Sequence, residues 1–428
     1  VSASALTRSA ALHLALLLAL CACRGGAGEE REAALDPLGA LGAQALEGGE
    51  GDPVTLERFD ARAMGTTYSF TLPRRAAGRE AAGRAAALAL GEVTRVERRL
   101  STWIDTSELE RLNRAEGRPT PLSEETCWLL LESKRVTALT RGAFDVTWAA
   151  LKGLWDLKAG VVPAHDEVRR RLALVGAKRL HVTPAARPRD PLALAPPPGR
   201  SPRGEALGAL LGALPPRPLW LSALPAGHGL WAELGARTTE AEGCVARLEP
   251  GARVDLGGIG KGYAIGSAAR LLRRLGFEGF LVDGGGDLQV EGRAPGGAAW
   301  VVGIQHPRAE GLWASLEAPA GWSVATSGDY ERFFEVDGAR YHHILDLRVG
   351  YPAQGVASIT VLARDATLAD ALATGLFVLG PVEGLEVAEG LEGVEALWLV
   401  AGGAVVRTSG FERLSGPLPP RWLPPAPP

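Results

Sequence analysis

The chain has 428 residues, with 46 Lys and Arg against 49 Asp and Glu and a formal net charge of −3. The two signs are interspersed, which argues against the concentrated basic face of a nucleic-acid binder. The length leaves ample core for one large catalytic domain or two smaller ones.

The first segment, "TRSAALHLALLLALCAC", carries one Arg and then an apolar run too short to cross a bilayer as a helix. It ends in Leu20-Cys21-Ala22-Cys23 and resembles a bacterial lipobox, with Cys23 as the lipidation site because a small residue, Ala22, stands just before it. Residues 1–22 are accordingly read as a lipoprotein signal peptide, ahead of the plainer reading as an ordinary cleaved one. Residues 23–55 are rich in Gly, Ala and Glu and read as a tether with a reach of about 30 Å. "ERFDARAMGTTYSFTL" has strand composition around a tight turn at Met64-Gly65. "AAGRAAALALGEVTRVERRL" places Ala89, Val93, Val96 and Leu100 on one helical face. Ser107 and Glu110 have the spacing of a capping box, and Ser123 caps a further helix. A loop, a helix and a strand follow, with Arg169-Arg170-Arg171 as the solvated face of that helix. Cys127 and Cys244 either pair or stay as buried thiols; spacing leaves both readings open. Residues 184–242 are dense in proline without a sustained period and read as an inserted segment within a domain spanning 56–412. Strand-like runs return from Phe280, a strong helix covers "ATLADALATGLFVLG", and 413–428 read as a loose Pro-rich tail. Strands and helices mix without regular βαβ spacing, which points to an α+β fold.

The loop "VDLGGIGKGYAIG", 254–266, offers clustered glycines, a lysine and a helix start, the parts of an anion site. Its spacing matches neither the dinucleotide fingerprint nor the P-loop. Asp370 and Thr374, four apart on a helix, form a hard-cation pair or a plain surface pair. His342 and His343 face opposite ways if they lie in a strand, so one at most serves a given site. Thr326-Ser327-Gly328 reads as a polar turn, and Asp145, among apolar neighbours, as a site residue or a structural cap.

Taken in order, "AMGTTYSF", "LSTWIDTSELERLN", "GAFDVTWAAL", the glycine loop, "VDGGGDLQVEG", "VATSGDYERFFEVDGARYHHILDLRVGYP" and "DALATGLFVLG" closely resemble the bacterial FAD:protein FMN transferases of the ApbE family. The resemblance implies a T-fold-like α+β architecture of mainly antiparallel sheets flanked by helices, with a ligand cleft between lobes. It implies FAD as substrate and Mg²⁺, or Mn²⁺ in its place, as cofactor. FMN would pass to a Thr or Ser of a partner protein carrying a D-x-x-[ST]-[GS]-A-[ST] motif, with AMP leaving. By position, Met64, Trp103, Ala143, Phe144, Asp145, Asp255, Lys261 and Ile344 would contact FAD. Gly258, Asp370, Ala373 and Thr374 would hold the metal, the last three from one helix. His343 would be the base, oriented by Asp346. A lipid-anchored enzyme of the bacterial cell envelope follows, periplasmic or on the outer face of the cytoplasmic membrane, with no nucleic-acid partner. The chain departs from the family's D-P-x-T-G at Asp346-Leu347-Arg348-Val349-Gly350, which bears on the shape and hydrogen bonding of that turn. Two other outcomes of the same site are an FAD pyrophosphatase giving FMN and AMP, and a non-catalytic FAD-binding lipoprotein.

Overall fold

A meander begins within the expected tether, where β1 (Gly42–Leu46) pairs antiparallel with β2 (Leu56–Ala63). The computed structural model describes residues 42–46, 55–74, 78–184, 243–419 and 421–422. The signal segment with Cys23, the rest of the tether up to residue 54, and residues 185–242 of the insert lie outside them. β2 turns into β3 (Thr66–Pro73) at Met64 and Gly65, whose φ values of 49° and 74° make a two-residue hairpin with the twist strands require. Helix α1 (Gly78–Leu100) follows, and Ala89, Val93, Val96 and Leu100 are all buried on its inner face.

The next elements form a smaller group. α2 (Glu108–Asn113) is capped by Ser107, whose Oγ accepts from Glu110 N at 3.0 Å. The reciprocal half of the capping box is missing: Ser107 N–H donates to Ile104, and Glu110 instead receives Arg114 and Arg253. β4 (Thr120–Leu122) leads to α3 (Glu124–Leu139), capped by Ser123, then to a 3₁₀ turn at Val146–Leu151 and α4 (His165–Leu172). On α4 the three arginines are exposed and pair with Asp166 and Glu167, as a solvated face should. β5 (Leu180–Pro184) and β6 (Cys244–Leu248) close a sheet of order β4-β6-β5. Pro184 stands opposite Cys244, so the two ends of the insert meet at its base. Cys127 on α3 and Cys244 are joined as a disulfide, the first of the two readings left open for them.

The remaining elements build the main sheet and cover it. They are α5 (Gly260–Arg274), β7 (Phe280–Gly284), β8 (Asp287–Glu291), β9 (Trp300–Gln305), β10 (Leu312–Ala318), β11 (Trp322–Gly328), β12 (Phe333–Val336), β13 (Ala339–His342), β14 (Leu345–Asp346), β15 (Tyr351–Pro352) and β16 (Val356–Ala363). α6 (Ala366–Glu389), β17 (Val394–Val400), β18 (Val405–Arg407) and α7 (Glu412–Ser415) complete the chain. The nine-stranded sheet runs β1-β2-β3-β7-β8-β11-β16-β17-β18, antiparallel throughout.

Interior strand β16 shows how the sheet is sandwiched, since every one of its residues is buried. Ile359, Val361 and Ala363 join the core beneath α1, α5 and α6, whereas Leu362 joins a second core under the β9–β10 hairpin. Near its start the alternation is inverted: Val356 belongs to the first core and Ala357 to the second, and a register shift at Val356/Ser358 accounts for the change of phase.

Three expectations are corrected. Thr326-Ser327-Gly328 is not a turn but the end of β11, paired with β16 through Thr326↔Thr360. The last helix does not stop at Gly380: that residue adopts φ 73°, and Pro381, which suits a first helical position, restarts a helix to Glu389. The tail is anchored rather than loose as far as Trp422, which is buried in the second core with its indole N–H donating to Val400 O at 2.9 Å. Helix α6 is long and apolar enough to cross a membrane by length and composition, but its first half is buried in the main core.

Candidate active site

The glycine loop explains itself at the first turn of α5. Gly262 N–H donates to Asp370 Oδ2 at 2.8 Å, so the anion that the loop's amides embrace is a carboxylate of α6. A Cβ on Gly262 would lie 2.1 Å from Ala366 O and 2.7 Å from Asp370 Cβ, which only glycine avoids. Close approach of two helices sets this position, and the positive end of α5 then favours the carboxylate it meets.

Lys261 lies between two buried acids. Its ammonium pairs with Asp287 and stands 3.8 Å from Asp370 Oδ1. Burial works against the charged ammonium, but Asp287 and Asp370 outweigh it and hold the Lys261 pKa above its usual range. Burial pushes Asp370 up to about 6, with Lys261 opposing and the like charge of Asp287 adding. Asp287 also accepts Thr326 N–H at 3.1 Å, which gives that β11 residue its part in the site.

Of the four residues the resemblance implies for a metal, Gly258 meets Thr374, and Asp370 and Ala373 lie within one turn of Thr374 on α6. A Cβ on Gly258 would be 3.3 Å from Thr374 Oγ1 and 3.3 Å from the Phe144 ring, so the loop backbone rests on that turn of α6. The donors are all oxygen (one carboxylate, one hydroxyl and backbone carbonyls), a set that suits a hard divalent cation. Among the described residues no cluster of three His, Cys, Asp or Glu occurs, and a carbonyl-rich set does not need one.

Toward the smaller sheet, the loop begins at Asp255. Its Oδ2 accepts from Thr102 Oγ1 and Lys152 Nζ, both at 2.9 Å, and its Oδ1 accepts Gly257 N–H at 2.7 Å. Lys152 Nζ also sits 4.3 Å from the centroid of Trp103, a cation–π contact. Trp103 itself is 83% exposed and borders a cleft of about 410 Å³ with Thr102, Lys152 and Arg253. A tryptophan so uncovered in a cleft offers a ring face to a planar ligand. Asp145 is the N-cap of the 3₁₀ turn, its Oδ1 accepting Thr147 N–H at 2.8 Å and Thr147 Oγ–H at 2.6 Å. Ala143 and Phe144 are buried beside it. At the other end of the loop Met64 closes the site: its Cε is 3.8 Å from a Cβ built on Gly260, and its sulfur accepts from Tyr68 Oη at 3.2 Å.

The two histidines have different surroundings, because β13 ends at His342 and His343 lies in the bend that follows it. His342 is fixed in the core, with Nε2 donating to Ala353 O at 2.7 Å and Nδ1 accepting Ile344 N–H at 3.2 Å. Ile344 is buried next to it. The buried Nδ1 of His343 has no hydrogen-bond partner among the described residues. Burial, reinforced by Arg332, then His342 and, more weakly, Lys261, pushes its pKa down to about 3. Asp346 does not orient it. That carboxylate is taken by Arg348, whose Nη2 lies 2.8 Å from Oδ2 and whose backbone N–H donates to Oδ1 at 2.9 Å. Gly350 N–H closes the same turn onto Asp346 O at 2.7 Å, with Gly350 at φ 78°. Arginine at 348 thus makes Asp346 a turn residue.

Loop 254–262 therefore meets Lys152 at Asp255, Phe144 and Thr374 at Gly258, Met64 at Gly260 and Asp370 at Gly262. Comparison with known proteins bears on what such a loop belongs to. The ApbE family model matches residues 64–199 and 221–398. The chain belongs to the ApbE family. It is 29% identical to the FAD:protein FMN transferase of Vibrio cholerae serotype O1 over 69% of this chain and 73% of that protein. It is 30% identical to the FAD:protein FMN transferase of Haemophilus influenzae over 69% of this chain and 72% of that protein. Among solved structures, it resembles the flavin transferase ApbE from Vibrio cholerae with a TM-score of 0.65 and 26% identity, covering 85% of this chain and 100% of that one. The ApbE protein from Thermotoga maritima gives a TM-score of 0.64 at 27% identity, again over 85% of this chain and 100% of that one.

Two site residues were not singled out in the sequence. Asp287 lay inside a quoted motif, but a lone acid after three glycines gives no sign that its partner is a lysine 26 positions earlier. Lys152 carried no signal beyond its place after an apolar run.

Proposed function

We propose that this ApbE-family chain is a Mg²⁺-dependent FAD:protein FMN transferase that moves FMN from FAD onto a Thr or Ser of a partner protein and releases AMP. The observation that carries the reading is Asp370, a buried carboxylate shared by the α5 amides and Lys261 and one helical turn from Thr374, which itself lies against the loop at Gly258. Mg²⁺ held by the Gly258 and Ala373 carbonyls, the Asp370 carboxylate and the Thr374 hydroxyl would neutralise the diphosphate of FAD. Lys261 adds a fixed positive charge beside that position, and Trp103 and Asp255 mark the far end of the nucleotide's path.

Phosphoryl transfer asks a protein mainly for positioning and charge stabilisation. The acceptor hydroxyl oxygen bonds to the phosphorus of the FMN half as the bond to the AMP oxygen breaks. Its proton needs a base. His343 is a neutral imidazole whose Nδ1 has no partner among the described residues, and a bound diphosphate would act against Arg332 and Lys261 by raising its pKa toward a working range. Asp346 plays no orienting part in this scheme.

The acceptor in this reading carries a D-x-x-[ST]-[GS]-A-[ST] motif. No Asp of this chain begins a full match, so the chain is not its own substrate. Lipidation at Cys23 would tether the enzyme outside the cytoplasm, and the Cys127–Cys244 disulfide supports folding in an oxidising compartment. The test is to incubate the protein with FAD, Mg²⁺ and a motif-bearing acceptor, denature, and look for a fluorescent band together with free AMP. FMN and AMP without a labelled band would make the chain a pyrophosphatase, and neither product would leave it a binding protein.

A further inference from the structure

Asp287 has a task that the proposed metal site does not by itself assign. Its side chain is 5% exposed, it binds the Lys261 ammonium directly, and Thr326 N–H pins its other oxygen at 3.1 Å. Asp370, the proposed metal ligand, lies 3.8 Å from the same ammonium. Lysine is a compact point charge on a flexible stem and goes to whichever carboxylate holds it best. With Asp287 present, the ammonium is held on the far acid and stops short of a contact pair with Asp370.

We propose that Asp287 is a positioning residue: it anchors Lys261 so that the protein's own cation does not compete with a divalent metal for Asp370. The inference rests on the metal site proposed above. Formal charge sharpens it. Asp287, Asp370 and Lys261 together carry one net negative charge. Removing the Asp287 charge leaves the cluster neutral and frees Lys261 to close on Asp370. Removing both Asp287 and Lys261 charges restores one net negative charge with no competitor present.

The experiment is a titration of the metal-free full chain with Mn²⁺ alone, free ion being followed by electron paramagnetic resonance near neutral pH, without FAD or turnover. Asp287→Asn keeps an oxygen for Thr326 N–H and is expected to weaken Mn²⁺ binding about tenfold or more, the scale of one partly buried charge contact. Adding Lys261→Met to Asp287→Asn is expected to bring the affinity back to within about threefold of wild type. A double variant as weak as Asp287→Asn would mean that Asp287 acts as a ligand or a structural residue, and the inference fails. It fails equally if Asp287→Asn binds as wild type does. Should Asp287→Asn not fold, as judged by its thermal melt, Asp287→Ser takes its place and is read by the same outcomes, alone and combined with Lys261→Met. Asp370→Ala is the control for the underlying site. Wild-type binding that Asp370→Ala leaves untouched would sink the metal site and this inference together, whereas a loss in Asp370→Ala with no effect at Asp287 sinks the inference alone.

Discussion

The molecule buries two ionic clusters on its α5 helix, and they are balanced in opposite ways. At Glu125 on α3, one carboxylate receives Arg95 at 2.6 Å, Arg99 at 2.7 Å and the Tyr263 hydroxyl. Burial would raise that acid, but Arg95, Tyr263 and Arg99 overcome it and bring the pKa down to about 2. Around Lys261 the count is reversed: two carboxylates share one ammonium, and Asp370 is pushed up to about 6. The first cluster is complete and joins three helices. The second holds surplus negative charge in a largely buried place, which a bound cation would relieve. An electrostatic surplus of this kind distinguishes a site from a brace.

That contrast can be broken by experiment. Asp370→Ala should lower FAD cleavage by on the order of a thousandfold, the cost of losing a principal electrostatic stabiliser, while leaving stability unchanged or improved. Undiminished turnover of the variant would remove the distinction. Glu125→Ala should do the opposite, costing about 3–5 kcal/mol in urea unfolding by stranding two guanidiniums, with activity retained wherever the chain stays folded.

Titration should separate the two clusters by sign. Glu125 has a folded-state pKa below its ordinary 4.5, so its contribution is present above that pH and is lost as pH falls from 4.5 toward 2, on the order of 3 kcal/mol. Asp370 has a folded-state pKa above 3.8, so the metal-free protein loses stability as pH rises from 3.8 through about 6. Thermal melts across pH should therefore show Mg²⁺ stabilising the protein more at pH 7 than at pH 5. Equal stabilisation at both would count against Asp370 as a ligand. The smallest effect is expected at the cleft mouth. Trp103→Ala should change stability by no more than about 0.5 kcal/mol, since the ring is exposed. It should weaken FAD binding by about tenfold, the loss of one stacking partner, as read by fluorescence titration.

Local signals in the sequence carried much of the fold. The inner face of α1 was readable from Ala89 to Leu100, as were the caps at Ser107 and Ser123 and the hairpin at Met64-Gly65, because each follows from residues within one or two turns. Site residues came from the ordered motifs, and most meet on the glycine loop. What escaped depends on partners distant in sequence. Asp287 meets Lys261 only because β8 runs beside α5. Thr326 looked like a turn residue because its small polar neighbours hide a strand that two other strands complete. Asp346 was misassigned because Arg348, two residues on, competes for the carboxylate that His343 would need. Gly380 looked like a helix end because a single residue at φ 73° stops one helix and Pro381 begins the next.

Pro184 and Cys244 stand opposite each other in the β5–β6 ladder, so the chain leaves and re-enters the described residues at one closed stem. Opposed residues of an antiparallel ladder lie about 5 Å apart, the span of a hairpin turn, so the scaffold accepts an excursion of any length there. For the same reason the stem is the place to install a reporter domain or an affinity handle.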